Sequence, residues 1–410
     1  MDAKRGDGGG SAVIAPLAWL ATSLAFPVAW FVAHFAGLVH DPVPTSLTSG
    51  AGICGAAFLL SWATEVAQLD IPRALALAVL ALVAVFPEYA VDVYFAWRAG
   101  QDPTYTAYAT ANMTGSNRLL IGVGWAAPVL AVWFKYGERE VALPPDQAVE
   151  VRYLALATLY SFIIPLKGTL SLLDTAILFV LFGSYVRAAG RTHHVEPELE
   201  GPAALIARLP APARRAVVLA IFAVAGAAIF TAAEPFAEGL VATGRQFGIE
   251  EFLLVQWLAP LASESPEFIV AVLFALRGAA AAGMGTMISS KVNQWTLLVG
   301  ALPAAFALSH GGLEAMHLDA RQREEILLTS AQSLFGLIII SNYRFSVFEA
   351  LLLLLLFLPQ FVYTGPEARI VQAVVYFVLS AGFIVASPSV RAGALALLPR
   401  PRAGARAGGG

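Results

Sequence analysis

Apolar runs as long as a bilayer is thick tile this chain almost from end to end, and no other feature restricts its fold as much. A membrane-crossing helix needs about 20 apolar residues. Such runs fall at 11–37, 48–68, 74–97, 104–134, 151–165, 168–187, 214–240, 250–276, 281–308, 325–341, 345–363 and 367–387. Several are short or merged, so the expectation is an all-α polytopic membrane protein of about 10–13 spans. Composition agrees: 58% of the 410 residues are hydrophobic and 13% are charged, against roughly 25% charged in soluble domains. A net charge of −3 leaves no basic surface to neutralise phosphates and excludes a nucleic-acid partner. The single cysteine, Cys54, rules out an internal disulfide or a multi-cysteine metal site.

Loop charge orients the spans. The stretch from Arg187 to Arg215 is rich in arginine, proline and glycine, which marks it as cytoplasmic. Six spans precede it and six follow, placing both termini on the cytoplasmic side with Lys4, Arg5 and the basic tail from Arg400. A bacterial plasma membrane is the expected location. His193 and His194, in that loop, suit weak metal binding or pH sensing.

The halves flanking this loop repeat. Each has an acidic helix end, an apolar helix broken by Pro-Glu ("VFPEY", "ESPEF"), a small-residue helix ("ANMTGSNRLL", "GTMISSKVNQ"), and a closing pair in which Asp174 and Glu349 hold the same place. A unit of five helices is odd, so the second copy enters the membrane inverted. The expected organisation is an N-terminal helix and loop at 1–47, repeats at 48–187 and 214–363, a cytoplasmic loop at 188–213, and a C-terminal helix and tail at 364–410.

Proline 87 and Pro266 cannot donate backbone hydrogen bonds, which frees the carbonyls of Val83 and Ala262. Free carbonyls in hydrocarbon persist only where they line a cavity or meet a partner, and a cation is such a partner. Glu88 and Glu267 follow the prolines directly. A buried carboxylate costs about 2.5 kcal/mol or more unless paired or protonated. The neighbouring helices offer Asn112, Thr114, Ser116, Asn117, Ser289, Ser290, Asn293 and Gln294, oxygen donors of the type a hard cation prefers. The bland alternative is interhelical hydrogen bonding without a ligand.

These motifs resemble those of the calcium/cation antiporter superfamily, whose alpha-repeats carry G-[TNS]-S-x-P-E and then G-S-N-x-x-[ND]. Here the counterparts are "AVFPE" with "TGSNRLL", and "ASESPE" with "ISSKVNQ". The resemblance implies that Glu88 and Glu267 are the central cation-binding acids and that Ser116, Ser290 and Ser263 add hydroxyl ligands; Asn112 and Gln294 join the candidate ligands as oxygen donors on the facing helices. It implies calcium as the cargo, no cofactor, and no partner beyond lipid and inorganic cations. The chain departs from the pattern at Leu120 and Gln294, where the family has Asn or Asp, and at Ala84, Val85 and Phe86 before Pro87, which thins a sodium shell.

Four extra charges stand beside the motifs: Asp92, Glu264, Arg118 and Lys291. They read as internal ion pairs or proton-carrying acids that favour proton coupling; the alternative is that the two bases snorkel to an interface. Cation/proton exchange is therefore the leading expectation, with sodium/calcium exchange, sodium/proton exchange and cation binding without transport behind it. No H-E-x-x-H or G-x-S-x-G motif argues for an enzyme.

Overall fold

The computed structural model describes residues 8–70, 85–192, 199 and 201–397. Lys4, Arg5, Val83, Ala84, His193, His194 and the tail from Arg400 lie outside the described residues, as does the start of the 74–97 span.

Among the described residues, nine helices are long and apolar enough to cross a membrane. Of the expected spans not in that set, Ala320–Ile340 opens with Arg321, Arg323, Glu324 and Glu325, Val347–Phe357 is short, and Phe86–Ala99 is the described part of the third span. Large apolar side chains face outward, with Phe230 80% and Leu166 79% exposed, an arrangement that suits lipid. In lipid, close packing and hydrogen bonds hold helices together. The long helices Pro42–Ala67 and Ala211–Phe247 run along one another and meet through small residues. A Cβ on Gly239 would come within 2.5 Å of Ser46 Oγ, and one on Gly50 within 2.8 Å of the Phe236 ring.

Two short strand pairs carry the inverted symmetry. Glu140–Ala142 pairs antiparallel with Arg344–Ser346, with Val141 opposite Phe345, and Thr169–Leu170 pairs with Met316–His317, with Leu170 opposite Met316. Each pair joins a loop of one repeat to a loop of the other, and the second pair is the first with the repeats exchanged. The backbone entering the two matched strands takes a left-handed residue at equivalent positions, Gly168 (φ 69°) and Tyr343 (φ 59°). Asp174 and Glu349 also hold matched roles. Each accepts from the backbone N–H and hydroxyl of a serine three residues earlier, Ser171 at 2.7 and 2.8 Å and Ser346 at 2.8 and 2.7 Å, so both acids cap helices.

Two expectations need correction. The helix Glu251–Leu276 runs unbroken through Pro260 and Pro266; membrane helices tolerate proline where neighbouring helices and hydroxyl side chains take up the freed carbonyls. In the first repeat the described helix begins at Phe86, with Pro87 in its first turn. The serine helices carry interruptions of their own: each passes into a π-helical turn, Leu120–Gly124 after Tyr105–Leu119 and Gln294–Leu298 after Ala280–Asn293. The described residues of the Arg187–Arg215 stretch are largely helical. Leu172–Thr192 extends through Arg191, Gly201–Ala207 forms a short helix, and Ala211–Phe247 includes Arg214 and Arg215, which grip Asp70 at 2.7 and 3.0 Å.

Candidate cation site

The two Pro-Glu helices bring their acids to one helix. Glu267 Oε2 accepts from Ser290 Oγ at 2.7 Å, and Glu88 Oε2 accepts from Gln294 Nε2 at 3.0 Å. Ser290 and Gln294 are four apart, so they are neighbours on one face, about 5–6 Å between Cβ atoms. Glutamates from opposite repeats thus dock one turn apart on the serine helix of the second repeat. On Phe86–Ala99, Asp92 follows Glu88 by one turn and is fully buried. Glu264 sits one turn before Glu267, also buried. Glu88 lies within electrostatic reach of Asp92, Glu267 and Glu264, so the four carboxyls form one cluster.

Much of this cluster lacks hydrogen-bond partners. Glu88 Oε1, both oxygens of Asp92, both oxygens of Glu264, Asn112 Oδ1 and Gln294 Oε1 are buried without one. Asn112 faces Asp92 and Gln294 faces Glu264, yet these contacts fall short of hydrogen-bond geometry. Buried oxygens are rarely left unpartnered, and a group of them matches what a hard cation takes as ligands. No group of three or more His, Cys, Asp or Glu among the described residues is arranged to hold a metal ion. A cation here would therefore draw on amide and hydroxyl oxygens as well as carboxylates. Ser116 stands against Glu88 while its hydroxyl points to the Met113 carbonyl at 3.3 Å. Ser263 is turned back on the carbonyls of Ala259 and Pro260 at 3.3 Å each.

The two bases do not behave alike, and neither snorkels. Arg118 is 2% exposed and leaves the acid cluster altogether: its Nη2 lies 2.6 Å from Glu325 Oε2, its Nη1 donates to Gln360 at 3.2 Å, and its guanidinium covers the Trp257 ring at 5.1 Å. Glu325 also accepts from Gln256 at 3.0 Å and lies 3.6 Å from Arg369. Gln256 reaches on to Thr114 at 3.3 Å. This network clamps the crossing of Tyr105–Leu119 with Glu251–Leu276, where a Cβ on Gly115 would fall 1.8 Å from the Gln256 carbonyl. Lys291 is 0% exposed and donates to Asn117 Oδ1 at 2.5 Å and to the Asn117 carbonyl at 3.2 Å.

Sequence reasoning missed Glu325, Gln256 and Asn117 as partners, and the Tyr89 hydroxyl that donates to Asn293 at 3.0 Å. The excess acid at Glu325, early in an otherwise apolar run, was the available signal. A cavity of about 150 Å³ lies apart from the cluster, lined by Trp19, Phe58, Trp62, Glu65 and Arg277.

Comparison with known proteins identifies the architecture. Residues 45–189 and 217–364 match the family described as sodium/calcium exchanger protein. The crystal structure of an H+/Ca2+ exchanger, CAX, superposes with a TM-score of 0.88 at 41% identity, over 93% of this chain and 97% of that one. YfkE, described as a Ca2+/H+ antiporter protein, superposes at 0.61 with 15% identity over 89% of this chain and 99% of its own. The sodium-calcium exchanger NCX_Mj gives 0.53 with 17% identity over 78% and 98%. The last two share the fold alone. Among curated proteins none matches the chain. With both repeats matched and a solved relative 41% identical over nearly its whole length, the chain belongs to the sodium/calcium exchanger protein family of integral membrane cation antiporters.

Proposed function

We propose that the protein exchanges a divalent cation, calcium foremost, for protons where the two Pro-Glu helices meet. The observation that carries this reading is the cluster of buried, unpartnered oxygens on Glu88, Asp92, Asn112, Glu264 and Gln294. Further support comes from the 41% identical structure described as an H+/Ca2+ exchanger.

Glu88 and Glu267 are the anionic ligands in this reading. Ser116, Ser290, Ser263, Asn112 and Gln294 supply neutral oxygens, with Ser263 and Ser116 rotating away from their own helix carbonyls. Asp92 and Glu264 carry protons when the cation is absent, because carboxyls packed this closely cannot all stay ionised in a low dielectric. An arriving divalent cation displaces those protons, and their return expels it. Competition of this kind couples the two fluxes when the repeats rock about a fixed midplane site. Arg118 anchors the serine helix and takes no part in the coupling. The repeats at 48–187 and 214–363 are the moving units, and the chain lies in a bacterial plasma membrane with both termini cytoplasmic.

The test is calcium uptake into proteoliposomes under an imposed proton gradient, read with internal calcium and pH indicators. Glu88→Gln and Glu267→Gln each keep shape and an amide but abolish coupled flux. Wild-type uptake that requires sodium and ignores the proton gradient overturns the assignment in favour of sodium/calcium exchange.

A further inference from the structure

The Lys291 ammonium sits where a cation would. It is fully buried, it is held by a side-chain oxygen and a backbone carbonyl of Asn117 at 2.5 and 3.2 Å, and it lies 4.3 Å from the centre of the Trp295 ring. Two oxygens and an aromatic face are what a small monovalent cation would accept. These partners are neutral, whereas Glu264 and Glu88 act on the ammonium through space and keep oxygens unpartnered. An ammonium free to pair with those carboxyls is instead tethered beside them.

Its place in the repeats adds to this. Asn117 follows Ser116 as Lys291 follows Ser290, so the contact joins matched positions of the two halves. The first repeat supplies oxygens to this contact and the second supplies the charge. A free cation arriving between the serine helices would find the Asn117 oxygens already taken by the Lys291 side chain.

We propose that Lys291 is a built-in monovalent cation that makes exchange independent of sodium, and so is the residue that determines the coupling ion. The inference rests on the proposed exchange and specifies which monovalent ion it excludes. Removing the ammonium opens the Asn117 oxygens to a small monovalent cation, for which sodium is the probe. Lys291→Arg keeps the charge and the independence.

The experiment measures calcium uptake by the full chain in proteoliposomes at a fixed proton gradient, with sodium replacing choline. Wild type and Lys291→Arg show equal uptake in both salts. Lys291→Met and Lys291→Gln show uptake raised by sodium about tenfold, within the ordinary range of coupling between two ligands. If those variants fold but do not transport, sodium still raises the thermal midpoint of purified Lys291→Gln over choline, and leaves wild type unmoved. Neutral variants that transport without regard to sodium, or that sodium does not stabilise, overturn the proposal. Absence of any wild-type calcium flux would instead count against the exchange itself.

Discussion

Substituting Glu325 by Gln should destabilise the protein more than substituting its partner Arg118 by Met, and the network around the pair sets both magnitudes. Both side chains are buried and 2.6 Å apart. Opposite charges about 4 Å apart attract by about 4 kcal/mol at an effective dielectric of 20. Breaking a buried pair by removing one member costs about 3–5 kcal/mol, because the survivor stays charged and uncompensated. Glu325→Gln meets that condition: Arg118 is left with the amide oxygen of Gln360, the Thr114 carbonyl and the Trp257 ring, none of them charged. Arg118→Met does not, since Glu325 keeps Arg369 at 3.6 Å and Gln256 at 3.0 Å. The expected losses are about 3–5 kcal/mol for Glu325→Gln and about 1–3 kcal/mol for Arg118→Met. Replacing both at once, as Arg118→Met with Glu325→Leu, should recover most of the loss, because apolar replacement of a whole buried pair is often neutral. Reversible unfolding in mixed micelles, with calcium uptake as a control for the native state, gives the three values. A Glu325→Gln cost under about 1 kcal/mol, or a larger cost for Arg118→Met, would refute the assignment of Arg369 as the second cation.

Other substitutions test the frame around the site. Gly115→Ala should cost at least the top of the usual 1–3 kcal/mol for overpacking, since its methyl would meet backbone 1.8 Å away; Gly50→Ala, against a ring that can tilt, should cost less, and unfolding midpoints compare them. Ser346→Ala should cost about 1 kcal/mol by removing one half of a capping box, readable in the same titration. The Asp70 carboxyl is held down to about 2, chiefly by its hydrogen bonds to Arg214, with Arg215 adding to them. Because its folded value lies below the usual carboxylate value of about 3.9, this clamp contributes at neutral pH and is lost as pH falls through that range toward 2. Asp70→Asn should flatten the acid limb of a stability profile, more so at low salt than at high, and an unchanged limb would count against the clamp.

The membrane class, the doubled unit and the Pro-Glu acids could be read from the sequence because each has a one-dimensional signature: apolar length, recurrence, and charge where charge is costly. Glu88, Glu267, Ser290 and Gln294 converge as a set for that reason. What escaped depends on rotation about helix axes. Arg118 and Lys291 occupy neighbouring places in matched motifs, yet one turns toward Glu325 and the other toward Asn117, and no periodicity encodes that choice. Hydropathy records removal from water, and lipid and protein interior look alike to it. The buried acid Glu325 therefore looked like the edge of a span. The π turns at Leu120 and Gln294 leave no compositional trace, and the strand pairs joining the repeats are two or three residues long.

The frame is symmetric and the chemistry is not. Strand pairs, left-handed corners, caps and π turns all come in matched copies. At the interface the copies diverge: Asn117 faces Lys291, and Gln294 takes the place that Leu120 holds in the first repeat. Gln294 donates to the acid of the opposite repeat, which Leu120 cannot do for Glu267. A duplicated frame with fully duplicated ligands would bind two equivalent cations on either side of its axis. Here a second cation lacks both of its places, since the Lys291 side chain takes the Asn117 oxygens and Leu120 leaves Glu267 without an amide, so that in the proposed exchange Glu88 and Glu267 hold a single divalent cation. Leu120→Gln restores the missing amide and tests this: calcium titration of the purified variant should still show one site, because Lys291 remains, whereas Leu120→Gln combined with Lys291→Asn should admit a second cation. A second site in the single variant would show that the amide, and not the ammonium, limits the count.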